Sequence, residues 1–422
     1  MSPNDLQQQL AILRRRIARI DRKYASAPPP AAVPAPRPAD ERPERYGVEE
    51  YLNGEEVTTP AGTHYEVSRL WERHRRHGSM DISELAELPP DLLEAISGGE
   101  IRNSPPERWV FLDTETTGLA GGTGTYAFLV GVGHITPEGF RLKQFFMRDY
   151  GEEASLLYAL NEFLSRFDVL VTYNGKTYDQ PLLETRYRMA RSKPPFARLR
   201  HLDLLHGARR LWKLRFESCR LVELETQVLG VERQGDLPGE MIPHVYFEYL
   251  RTREAFRVAP IFHHNGLDIL TLACLTGIVP RAFSSPSNAP VHHGADLVGL
   301  GRWLRAMERY EEAIQLFRRA IELNISDELL FRTMWDAALL EKKLGRSSGA
   351  LALFSDLAAE RNPYRAAALE ELAKHYEHRE RNYEMALEMT RAALALGETG
   401  ALRHRETRLA SRVAKPRTRP LL

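Results

Sequence analysis

Residues 109–119 read Trp-Val-Phe-Leu-Asp-Thr-Glu-Thr-Thr-Gly-Leu. An apolar run that ends in a Thr-Thr-Gly turn has the length of a buried strand. Residues two apart on a strand project from one face, so Asp113 and Glu115 present two carboxylates side by side. Such a pair on a strand is most often a solvated edge, but the apolar flanks and the following turn place this one mid-sheet. Neighbouring buried carboxylates repel each other unless something positive lies between them. A hard divalent cation, with its preference for oxygen ligands, is the natural counter-ion.

Outward from this segment, YAFLVGVGHI (126–135) and FRLKQFFM (140–147) are again of strand length, and three strands in succession predict an antiparallel meander. A helical stretch over 152–167, the apolar strand DVLVTYN (168–174) and a helix over 179–189, with Pro181 tolerated in its first turn, follow. Further helices are expected at 202–212, 221–229 and 267–279. The pattern is an α/β unit, a mixed sheet with helices on its faces. Before it, residues 46–105 read as a lead-in, with alternation at 63–67 and helix-like segments at 81–88 and 90–96. The stretch SSPSNAP (284–290) closes the unit.

The flanks differ in kind. Residues 1–26 carry Leu6, Leu10, Leu13, Ile17 and Ile20 at helical spacing, and residues 27–45 are a proline-rich linker of polyproline II character. The α/β domain with its lead-in spans 46–283. Residues 291–400 repeat a small-large pattern, with Ala313, Phe317 and Ala320 restated by Ala350, Phe354 and Leu357 and again by Ala386 and Ala393. They read as tetratricopeptide-like helical hairpins that must stack to bury their apolar faces. Residues 401–422 form a basic tail expected to be disordered.

Two cysteines in 422 residues, Cys219 and Cys274, are too few for a disulfide framework, which fits a reducing cytoplasm. No secretory leader or membrane span is expected. With 58 basic against 57 acidic residues, nucleic-acid binding must come from local clustering rather than from a global field. Such a cluster exists at 186–215, where ten Arg or Lys, Arg209 and Arg210 among them, face one acid, Asp203. A belt of this kind suits phosphate contacts, unless its arginines pair with Glu217, Glu223 or Glu225.

Two further motifs accompany the acid pair. In VTYNGKTYDQP (171–181) the Gly-Lys-Thr invites a phosphate-loop reading, which fails because Leu170 stands where that loop needs glycine. Gly122 and Gly124 make a loose dinucleotide fingerprint, but a strand rather than a helix follows. Asp179 stands at a helix start, where capping is its bland role. In FHHNGLDIL (262–270) His264 and Asp268 are four apart and share a helix face if the helix runs back through Gly266.

Taken together, D-x-E-T-T-G-L, N-x4-D and a histidine four or five before an aspartate resemble the three motifs of the DEDD (DnaQ-like) 3′→5′ exonucleases. A nearer likeness is to the YprB-like group of bacterial ribonuclease H-like proteins, through DTETTGLAGGTGTYAFLVGVG, HLDLLHGARRLW, SCRLVELETQVLG and the HN-x2-D close. That likeness covers residues 46–281 and, more loosely, the repeats. It implies a ribonuclease H-like fold and two Mg²⁺ or Mn²⁺ ions held by Asp113, Glu115, Asp179 and Asp268. It also implies exonucleolytic hydrolysis, with DNA in repair as the favoured substrate, RNA as the alternative, and a helicase or other protein as partner of the repeats. His264 is the expected general base and His263 the alternative, since His264 fits the HN-x2-D pattern. Thr117, Leu119, Tyr173 and Asn174 are placed to contact the terminal nucleotide. The rival from another class is a silent nucleic-acid-binding or scaffold adaptor.

Overall fold

The computed structural model describes residues 47–118, 123–287, 291–323 and 325–414. The expected helix over 1–26, the linker over 27–45, Leu119 and residues 415–422 lie outside these.

Seven strands form one mixed sheet: β1 (Gly54–Thr59), β2 (Gly62–Glu72), β3 (Trp109–Thr116), β4 (Ala127–Thr136), β5 (Gly139–Phe146), β6 (Val169–Thr172) and β7 (Arg200–Asp203). Their spatial order is β1-β2-β5-β4-β3-β6-β7. The expected meander β3-β4-β5 is antiparallel, and β6 and β7 add in parallel beyond β3. The strand carrying the acid pair is therefore central. Two expectations are corrected at the edges. The lead-in supplies the hairpin β1–β2, which extends the sheet antiparallel to β5, while residues 90–96 are turns rather than helix. Residues 200–203 are a strand, not the start of a helix. Pairing with β6 wins there, and Asp203 then caps the next helix by accepting the Leu205 N–H at 3.1 Å.

Alternation along β3 divides the interior into two cores. Val110 and Leu112 face α1 (Glu153–Leu164), α2 (Asp179–Met189) and α4 (Ile242–Thr252), joining a cluster with Phe128, Leu160, Leu183 and Tyr246. Trp109 and Phe111 face α3 (Leu204–Trp212) and α5 (Ala259–Ser284), joining Val171, Leu211, Ile269 and Leu272. Asp113 and Glu115 continue this second row. Helix α5 begins well before the expected Leu267, so Gly266 does not break it. By length and mean hydropathy alone it is long and apolar enough to cross a bilayer, but most of it is packed inside the fold.

Beyond α5, antiparallel helical hairpins follow: α6 (Gly294–Ala306) with α7 (Tyr310–Glu322), α8 (Asp327–Lys343) with α9 (Ser347–Ala359), and α10 (Arg365–His375) with α11 (Tyr383–Leu396). The first hairpin shares the second core, with Trp303 stacked on Phe283 at 4.3 Å between ring centroids. Residues 400–413 are not disordered but form a last helix, α12, which buries Leu402 and Leu409. Its Arg405 and Arg408 hold Glu377.

Candidate active site

The site is built on one row across three strands. Asp113 of β3 pairs with Gly131 of β4, and Gly131 with Gln144 of β5. Because Gly131 has no side chain, α5 comes down onto the sheet and sets Asn265 over the gap. A Cβ at Gly131 would stand 2.0 Å from Asn265 Oδ1. Asn265 donates to Asp113 Oδ2 at 3.0 Å and accepts from Gln144 Nε2 at 2.9 Å. Gln144 also donates to the Phe262 carbonyl. The amide pair fixes the rotation of α5 against the sheet, and with it the positions of His264 and Asp268.

The opposite-facing Thr114 reaches α2, where its hydroxyl donates to Asp179 Oδ1 at 2.5 Å. A β-bulge between Glu115 and Thr116 ends the regular pairing just after the acids. Asp113, Glu115, Asp179 and Asp268 thus come together at the end of the central strand. Burial and mutual repulsion hold Asp113 and Glu115 well above the usual carboxylate range. Burial lifts Asp179 to about 6 despite the Thr114 hydrogen bond. Burial also raises Asp268, though His264 and Arg233 oppose it.

A second network, on a segment without a sequence signature, supports Asp268. Arg233 donates to Asp268 Oδ1 at 2.5 Å, pairs with Asp236 at 3.1 Å and is bound to the fully buried Glu225. Glu225 also accepts from Thr271 at 2.8 Å and meets His77 at 3.1 Å. Asp236 lies 2.8 Å from His264 Nδ1. Burial would raise Asp236, but the bonds from His264 and Arg233 outweigh it, so the carboxylate is ionised and accepts. In the neutral ring His264 Nδ1 then carries the proton, and Nε2, 3.4 Å from Asp268 Oδ2, keeps its lone pair toward the acids. Burial disfavours the His264 cation, yet Asp236 and Asp268 raise its pKa above the ordinary value. His263 is exposed and lines a mostly apolar recess with Tyr51 and Phe256, which Asp236 also borders.

The other expected contacts divide. Thr117 Oγ1 accepts the Tyr126 N–H at 2.9 Å, and the Tyr173 hydroxyl donates to the Cys219 carbonyl, so both hold the walls. Asn174 sits in the turn before Asp179 with φ of 68°. Arg210 lies 5.4 Å over the Trp303 ring, at the seam with the first hairpin. The alternative pairing of the belt with Glu225 does not form among the described residues, since Arg233 takes that acid.

Among the described residues no three His, Cys, Asp or Glu side chains are already gathered as a metal-binding group. Asp113, Asp179 and Asp268 each spend an oxygen on Asn265, Thr114 or Arg233. The donors nevertheless suit a divalent cation. All four are hard oxygen ligands, and repulsion within the cluster leaves Asp113 and Glu115 short of positive charge.

Gln144, Arg233 and Asp236 carry no motif in the sequence, and Asn265 stands there only as a member of the HN-x2-D close. Glycines at 131 and 133 within one strand are a signal for close backbone approach. Arg233 and Asp236 lie on a loop and gave none.

A family model of the RNase_H superfamily matches residues 110–279, the span from β3 through most of α5. The uncharacterized protein YprB of Bacillus subtilis (strain 168) is 33% identical over 383 residues, which cover 88% of each chain. The sheet order, the acids on its central strand and this likeness along nearly the whole chain agree: the chain belongs to the YprB family within the RNase H superfamily.

Proposed function

We propose that the protein is a metal-dependent 3′→5′ exonuclease that hydrolyses phosphodiester bonds, with DNA preferred to RNA. The observation that carries this reading is the cluster of Asp113, Glu115 and Asp179, acids crowded together without a cation of their own. The exonuclease polarity rests on the resemblance of the three motifs, and a nucleic-acid substrate accords with membership of the RNase H superfamily. Asp113, Glu115, Asp179 and the free oxygen of Asp268 would hold two Mg²⁺ or Mn²⁺ ions. Bound there, such ions supply Lewis-acid stabilisation of the phosphodiester and a water of lowered pKa.

The chain's own residues do the rest. His264 accepts a proton at Nε2, and Asp236 keeps the ring in the tautomer that leaves this nitrogen free. Arg233 ties Asp236 and Asp268 together, so base and acid keep their separation. Asn265 stops Asp113 from rotating away. The hairpin array adds a surface for a protein partner, as stacked repeats commonly do, and the protein works in the cytoplasm.

Arg233 favours one other reading, in which its guanidinium permanently compensates Asp268 and the fold binds nucleic acid without turnover. Purified protein incubated with Mn²⁺ and 5′-labelled single- and double-stranded DNA and RNA separates the two. A ladder shortened stepwise from the 3′ end supports the proposal. Binding without hydrolysis of any substrate overturns it in favour of the silent reading.

A further inference from the structure

The belt of cations over 186–215 does not act as one surface. Arg186 is buried on Glu153, Arg188 pairs with Glu184, Arg198 with Asn161, and Arg215 with Asp296. Arg191, Lys193, Arg200, Arg209 and Lys213 have no such partner among the described residues, and of these five only Arg209 and Lys213 line one hollow. They lie one turn apart at the end of α3, both exposed, and Arg220 joins them from the following loop. Among the described residues none of the three has an ion pair or a side-chain hydrogen bond. All three line one cleft of about 650 Å³, whose inner wall is Tyr173 and Asn174 and whose single acid is Glu217.

This cleft is joined to the acids by covalent and hydrogen-bonded structure. Asn174 opens the turn that ends at Asp179, and the turn is closed by the Thr177 and Tyr178 amides on the Asn174 carbonyl. The Asn174 and Lys176 amides are both held by Asp203, the residue that caps α3. The Tyr173 hydroxyl fastens the far wall through the Cys219 carbonyl. The helix carrying two of the cations and the turn carrying one of the acids are therefore anchored on one carboxylate. Cations near the end of a helix also complement its dipole, but that explains neither Arg220, which comes from another segment, nor the convergence of three unpaired cations on one hollow.

We propose that this cleft is a phosphate-binding subsite that takes the sugar-phosphate backbone of the strand whose end lies at the carboxylates. The proposal rests on the nuclease reading above and deepens it. Contacts from Arg and Lys to phosphate fix register without reading bases, so the subsite supplies affinity and positioning but no sequence preference.

The test is binding without metal, so that turnover plays no part. Anisotropy of fluorescein-labelled oligothymidylate and oligouridylate is measured against salt for the wild type, R209A, K213A, R220A and the triple variant. R188A serves as a belt member outside the cleft. Each single change at the cleft lowers the slope of log K against log salt by about 0.7, and the triple change by about 2. R188A leaves the slope unchanged, and R209K restores most of what R209A loses. A triple variant with a normal melting curve and the wild-type slope refutes the subsite, even if the wild type cleaves DNA. Slope loss in the triple variant together with no hydrolysis by the wild type supports the subsite and overturns the exonuclease reading. Absence of any binding by the wild type overturns both.

Discussion

Buried acids occur in both halves of the molecule, and they are treated differently. In the helical array each has arginines at hand. Asp336 is met by Arg302, Arg305 and Arg332, Glu341 by Arg318 and Arg346, and Glu377 by Arg405 and Arg408. At the candidate active site Asp113 has an amide partner and Asp179 a hydroxyl partner, Glu115 has neither among the described residues, none of the three pairs with a cation, and their pKa values rise. These acids of the array come with counter-charges. Acids left to repel one another cost stability, and that cost is retained only where something else supplies the charge.

The sharpest break in this comparison is to neutralise one acid of each kind. Asp113→Asn abolishes hydrolysis while the melting temperature holds or rises, because a repelling charge is gone. Glu377→Gln leaves turnover intact but destabilises by about 1–3 kcal/mol, since it strands two partly solvated arginines. Paired activity and melting measurements check both. Equal destabilisation by the two changes would remove the distinction.

His264→Ala lowers the single-turnover rate by about 10²-fold or more, the usual contribution of a positioned general base. His263→Ala, at the rim, has a much smaller effect. The wild-type rate should climb with pH through a value above the ordinary histidine pKa, and the alanine variant should lose that inflection. A reversed ranking would transfer the base role to His263.

Gly131→Ala tests the row from outside the acids. Its Cβ collides with Asn265, so we expect about 1–3 kcal/mol lost from the melting free energy. Activity falls as Asp113 loses its partner, although every acid and the histidine are intact.

The smallest effect is the pH dependence of metal-free stability. The active-site carboxylates have folded-state pKa values above their unfolded ones, so between about pH 4 and pH 6 the folded state retains protons that the unfolded chain has lost. Their contribution to stability therefore declines as pH rises through about 6, the value reached by Asp179. Adding Mn²⁺ at neutral pH should reverse this decline in the wild type but not in Asp113→Asn, as read by thermal melts. A metal-induced shift of equal size in both would place the ion elsewhere.

How much of this was legible in the sequence depended on range. The meander, the central strand and the four acids could be read because each depends on contiguous pattern: apolar alternation around Asp113 and Glu115, a turn before Asp179, helical spacing up to Asp268. The strand β7 was misread because four residues followed directly by a helix carry too little periodicity. The hairpin β1–β2 was underread because its pairing with β5 is non-local. Arg233 and Asp236 reach the site only through tertiary placement, and no spacing links them to His264. The helix over 400–413 reads as a disordered tail because its charge outweighs the two leucines it buries.

The first hairpin sits on the α/β core, the second contributes only Ala337 and Leu340 to the buried residues of that cluster, and the rest of the array buries small clusters among its own helices. An array anchored at one end opens from the other. Amide exchange should accordingly quicken from α6 toward α12, in steps of one hairpin rather than residue by residue. Limited proteolysis would pare the chain back toward the Phe283–Trp303 stack and stall there, because the next cut requires the nuclease-like body itself to unfold.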